Sequence, residues 1–202
     1  SSDLQLQHFV PQLQLVPRPG LPDLIIFVQG SFVAPTGAPH DQTAAGWGIY
    51  ITDGDYSFCD MVTTDRAQPL WVGATHLSNN TGNLTAMIFA LMWVHYNVSN
   101  HNVCIAHNST YAAQCTQGYW APTDNNSLVA TAQHWFRLCQ QTVHVSFRQT
   151  WANQQNSDWW LQHTAKAAEL AKQGANGTHN TAPWMQQGAA HPPATTPLPT
   201  IP

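Results

Sequence analysis

Hydrophobic and polar positions along this chain change period several times, and each change marks an element. Residues 24–29 open with the unbroken run Leu24-Ile25-Ile26-Phe27-Val28 and close on Gln29, as a strand covered on both faces does. Residues 45–52 and 57–64 read as two more strands, joined through Asp53-Gly54-Asp55, a strong hairpin turn. Residues 80–96 then place Leu84, Ile88, Leu91, Met92 and Val94 at helical spacing. A short strand is predicted over 103–106, helices over 110–117 and 127–140, an alternating strand over 143–147, and a helix over 159–174 with Gly174 as its cap. Strands, helix, strand, helices, strand and helix predict an α/β protein: a five-stranded mixed sheet with helices on both faces.

Two flanking stretches behave differently. Residues 1–22 alternate in two short segments, Leu4-Gln5-Leu6-Gln7 and Gln12-Leu13-Gln14-Leu15-Val16, interrupted by Pro11, Pro17, Pro19 and Pro22. Prolines disfavour a central strand but allow pairing at a sheet edge. Leu4, Leu6, Phe9, Leu13 and Leu15 are the apolar positions such an edge strand offers for assembly. From residue 176 onwards the periodicity fades, and residues 191–202 are rich in Pro and Thr, an extended and potentially O-glycosylated composition. The expected division is an extension over 1–22, one domain over 23–175 and a tail over 176–202.

Four segments inside that domain carry a resemblance. They are Ile26-Phe27-Val28-Gln29-Gly30-Ser31, residues 78–86 around Asn83, Ile105-Ala106-His107-Asn108-Ser109-Thr110-Tyr111, and residues 158–165 ending at Ala165. In order and spacing they resemble the signature segments of the ribonuclease H family, and residues 117–122 look most like its retroelement-attached members. The resemblance covers roughly residues 24–175. It implies the ribonuclease H-like fold, with Gly30-Ser31 as the turn after the first strand. It also implies an Asp, a Glu, an Asp and an Asp that hold two Mg²⁺ ions for phosphodiester hydrolysis. The matching positions here are Gln29, Asn83, Asn108 and Ala165. Gln155 stands where the family has a mobile His, and Leu161-Gln162 where an Asn-Glu pair is usual. Mg²⁺ is a hard cation held through carboxylate oxygens, and amides and a methyl group are poor substitutes. The resemblance therefore implies the scaffold without its metal site. No catalytic residue, metal or cofactor is expected.

Composition sharpens this reading. Only 8% of residues are charged and the net charge is −4, against about 25% charged in an average soluble domain. The six cations, Arg18, Arg66, Arg137, Arg148, Lys166 and Lys172, are scattered. Nucleic-acid affinity rests largely on a basic surface that releases counterions, so no nucleic-acid partner is expected. No apolar run reaches the length of a membrane span.

Six sequons, at Asn79, Asn83, Asn97, Asn108, Asn125 and Asn176, offer N-glycan acceptors to a secreted chain, and glycans would solubilise a surface poor in charge. Four cysteines, Cys59, Cys104, Cys115 and Cys139, suit two disulfides in an oxidising compartment, with three pairings open. In the fold implied by the resemblance, Cys104–Cys139 is the favoured pair. The start at Ser1-Ser2-Asp3 suits a processed mature chain.

The eleven His show no ligand spacing and read as surface or packing residues. Trp47, Trp93, Trp120 and Trp135 read as core, whereas Trp151, Trp159, Trp160 and Trp184 are free to serve an interface. The expectation is an extracellular, glycosylated, inactive ribonuclease H-fold protein with a structural role, self-assembling into a homopolymer by strand donation from residues 1–22. The alternatives are a monomeric glycan- or protein-binding module and, less favoured, a residual nuclease using Asp158 or Asp23.

Overall fold

The structure, a computed structural model, describes residues 22–34, 42–150 and 157–189. The strand-like extension over 1–21, the Trp151–Gln155 region and the Pro/Thr-rich end lie outside the described residues. The elements in chain order are β1 (Leu24–Val33), β2 (Ala44–Ile51), β3 (Tyr56–Met61), α1 (Asn79–Asn97), β4 (Asn102–His107), α2 (Thr110–Gln117), α3 (Asn126–Gln140), β5 (His144–Gln149), α4 (Asp158–Ala175) and a short 3₁₀ helix (Pro183–Gln187).

One sheet runs in the order β3-β2-β1-β4-β5. β1 pairs antiparallel with β2 and parallel with β4, and β5 lies parallel to β4, so the sheet is mixed. The period of two along β1 divides the core. Leu24, Ile26 and Val28 join the large cluster under α1 and α3, while Ile25 and Phe27 join a smaller one under α4. The five-stranded sheet with helices on both faces is therefore as expected.

Local chemistry explains the element ends. Ser78 caps α1 through a reciprocal box: its hydroxyl accepts from the Thr81 amide while its own amide donates to the Thr81 hydroxyl. Residues 84–94 of α1 are all buried, so this helix is central rather than amphipathic. α2 stops at Gly118, whose φ of 83° is left-handed.

β1 does not end at Gly30-Ser31. It continues to Val33 with Gly30 opposite Trp47 and Ser31 opposite Gly46. The glycine serves packing instead of a turn: a Cβ on Gly30 would lie 2.3 Å from the backbone nitrogen of Asn83, so its absence lets α1 cross the strand at contact distance.

The tail boundary also moves. Beyond α4 the backbone of Asn180 bridges Cys59 on β3 in both directions, at 3.0 and 2.8 Å, and its side-chain amide donates to Ser57 O. The His179 imidazole bonds the Asp60 carboxylate. Trp184 and Met185 then enter the core. The folded unit thus reaches residue 189, because the outer edge of β3 needs hydrogen-bond partners and the large cluster needs Trp184.

The cysteine expectation is corrected. All four are free, buried thiols. Cys104 lies in the cluster under α4 and Cys139 in the cluster on the other face of the sheet, so the favoured pair is separated by the sheet itself. Burial pushes Cys104 and Cys115 up to about 11 and Cys139 up to about 12, which keeps them as unreactive thiols. Ellman titration is expected to find almost no reactive thiol in the native protein and four after denaturation without reductant; fewer than four would mean disulfides.

The tryptophans divide differently from expectation as well. Trp47, Trp93 and Trp135 are core, but Trp160 and Trp184 are buried too, whereas Trp120 is 47% exposed beside an exposed Tyr119. Among the described residues, no helix is long and apolar enough to cross a membrane.

Candidate functional site

Three of the four positions that the resemblance singles out, Gln29, Asn108 and Ala165, converge in one cleft. Gln29 follows Ile25 and Phe27 by period two and so faces α4, where it is only 2% exposed. The parallel register pairs Phe27 with Ala106, which two residues further on brings the Gln29 level to Asn108, just past the end of β4. α4 supplies the opposite wall with Leu161, Ala165 and Ala168, spaced four and three residues apart on one helical face. Together with Thr150 and Thr164 these residues enclose a cleft of about 420 Å³. The Thr164 hydroxyl donates to Trp160 O at 2.7 Å, and Thr150 Oγ1 lies 2.8 Å from the same hydroxyl oxygen.

Asn83 is placed apart from this lining. It sits on α1, on the other face of the sheet, and its Oδ1 accepts from the Gly30 amide at 2.8 Å. The amide is thereby used to hold the helix against the strand that carries Gln29. Asn83→Ala leaves that part-buried N–H unpaired and is expected to lower stability by about 1 kcal/mol, read by urea denaturation.

This donor set does not fit a pair of Mg²⁺ ions. The cleft lining holds amides, hydroxyls and methyl groups but no carboxylate. Asp23, considered as a remaining acid, lies at the opposite end of β1, where its carboxylate accepts from the Asn102 amide. Asp158 is exposed at the start of α4, outside the lining. Neutral amide oxygens offer neither the charge nor the affinity to hold two mutually repelling dications. Among the described residues no group of three or more His, Cys, Asp or Glu is arranged to hold a metal.

Three of the cations pack over aromatic rings. Arg148 lies 4.0 Å over the Trp160 ring, Arg66 lies 5.1 Å over Trp71, and Lys166 lies 4.6 Å over Tyr50. Tyr50 donates to Asp55 at 2.6 Å, and this bond, with burial and the Asp55 charge, pushes its hydroxyl up to about 12. His107, next to Asn108 in sequence, is buried against Phe147; burial pushes its imidazole down to about 4 against a weaker opposing hydrogen bond to the Ser109 backbone.

No family model and no curated protein sequence matches this chain. Solved structures do. The LC11 ribonuclease H1 isolated from compost by a metagenomic approach is similar at 18% identity and a TM-score of 0.50, covering 76% of this chain and 95% of its own. The foamy viral protease-reverse transcriptase, solved with an RNA/DNA hybrid, is similar at 16% identity and a TM-score of 0.50, over 82% of this chain and 22% of its own. The chain has the ribonuclease H-like fold.

Proposed function

We propose that this protein is a catalytically inactive ribonuclease H-fold protein, exported and N-glycosylated, with a structural, self-assembling role. The observation that carries the reading is the cleft itself: three of the four metal-ligand positions line it as Gln29, Asn108 and Ala165, and the fourth, Asn83, is used as an internal hydrogen-bond acceptor. Fold alone does not confer chemistry, and the groups this chemistry requires are absent from the lining. The dispersed cations and the net charge of −4 speak against a nucleic-acid partner. Incubation with an RNA–DNA hybrid in Mg²⁺ or Mn²⁺ is expected to give no cleavage above buffer; metal-dependent cleavage would overturn the reading.

Assembly is supported by the sheet edges. The β3 edge is covered by Asn180 of the same chain, whereas β5 pairs only with β4 among the described residues. Residues 1–22 of one subunit would add to the β5 edge of the next, a head-to-tail contact that does not close and so extends into filaments. Deleting residues 1–20 is expected to convert polymer into folded monomer, read by electron microscopy and sedimentation. A truncated protein that still polymerises rules out strand donation. A full-length chain that is monomeric from the start favours a binding module, with the exposed Tyr119 and Trp120 as its first surface to test.

A further inference from the structure

The fold sorts the six sequons by what their side chains do. Asn125 is 6% exposed and its amide donates to the Tyr111 hydroxyl at 3.2 Å, so a sugar there has no way out. Asn97 is half-buried with its amide donating to Trp93 O at 2.9 Å. Asn83 is half-buried at the crossing of α1 and β1, where a Cβ on Gly30 would already collide. Asn79, Asn108 and Asn176 are exposed. Asn108 lines the cleft described above, and it stands where the sheet ends and Ser109 caps α2.

We infer that Asn108 carries an N-linked glycan whose first sugar occupies the cleft of Gln29, Thr150, Leu161, Thr164 and Ala165. This rests on the exported reading above. The attachment joins Asn108 Nδ2 to the anomeric carbon of a lipid-linked oligosaccharide. The bond from that carbon to the lipid pyrophosphate breaks, the pyrophosphate leaves, and the amide gives up one proton. The sequon Asn108-Ser109-Thr110 supplies the required hydroxyl at its third position.

Transfer precedes folding, so the folded chain must then accommodate the sugar. The cleft suits it, with an apolar wall from Leu161, Ala165 and Ala168 for the ring's C–H face. The polar side chains of the lining, Gln29, Thr150 and Thr164, are uncharged, and the two threonine hydroxyls are bonded to each other. A cleft lined with carboxylates would instead have presented charge to a neutral ring.

Glycopeptide mapping of the full chain secreted from a eukaryotic cell line tests attachment, with peptide N-glycosidase in heavy-oxygen water marking each occupied Asn. Occupancy at Asn108 together with Asn79 and Asn176 is the expected result. An unmodified Asn108 beside an occupied Asn79 or Asn176 overturns this inference and leaves the exported reading standing. No occupied sequon anywhere overturns both.

Placement of the sugar in the cleft is read separately by maleimide labelling of Ala165→Cys, since the four native thiols are buried. Ala165→Cys combined with Asn108→Gln is expected to label roughly ten-fold faster than Ala165→Cys alone. Equal rates would mean that the sugar, where attached, points away from the cleft.

Discussion

Gly48→Ala is expected to destabilise this protein by at least about 3 kcal/mol, the upper range for forcing extra volume into a packed interior. A Cβ at Gly48 would lie 2.4 Å from Ala171 N and 2.6 Å from Ala167 O, both backbone atoms of α4. Gly46 is equally tight, with Ala175 N at 2.2 Å and Ala171 O at 2.3 Å. The matching stripe on the helix is Ala167, Ala171, Gly174 and Ala175, all buried. Strand and helix therefore meet backbone to backbone, and no side-chain rotation relieves the clash; α4 must move away. Moving α4 would also pull Leu161, Ala165 and Ala168 off the cleft. Gly177→Ala is the control. That glycine has open space around it and a φ of 100°, so only backbone strain of about 1–2 kcal/mol is expected. Urea denaturation of both variants checks the ranking, and a Gly48→Ala protein as stable as the parent would contradict this packing of α4.

Acid is expected to remove up to about 3 kcal/mol of stability through His107 alone. The imidazole is held neutral in the folded state with its pKa pushed down to about 4, whereas in the unfolded chain it titrates near the usual value of about 6.5. The unfolded state therefore binds the extra proton first, and stability rises with pH across this window. The contribution is complete above about pH 6.5 and is lost progressively as pH falls towards 4. Among the described residues Nδ1 of this ring has no hydrogen-bond partner, and the ring packs against Phe147. His107→Phe is thus expected to flatten the stability profile between pH 4 and 6.5, by up to about one proton in its slope. Chemical denaturation at several pH values measures it; an unchanged slope would place the acid sensitivity elsewhere.

Much of the fold was legible because periodicity reports burial. The apolar run of β1, the hairpin at Asp53-Gly54-Asp55 and the helically spaced apolar residues of α1 each reflect a local pattern that tertiary packing then used. The misreadings concern residues whose role is set by distant partners. Gly30 looked like a turn because glycine is permissive, yet it is a strand residue made small by α1. Asn180 and Trp184 carry no period of their own; they are ordered by the unsatisfied edge of β3 and by the core behind it. An even cysteine count suggested disulfides, but the sheet separates Cys104 from Cys139. Trp120 follows the Gly118 cap of α2 and is 47% exposed, which hydrophobicity alone does not reveal. The cleft was readable in part: the lining by Gln29, Asn108 and Ala165 follows the motifs, whereas the Asn83–Gly30 bond and the Thr150–Thr164 pair needed three dimensions.

The central claim is that the amide- and methyl-lined cleft no longer holds divalent metal. Titrating Mn²⁺ into the protein and following the free aquo ion by electron paramagnetic resonance tests it most directly. The account predicts that the free-ion signal rises with added Mn²⁺ as it does in buffer. Depletion of that signal, saturating at two ions per chain and abolished by Gln29→Ala, would contradict it.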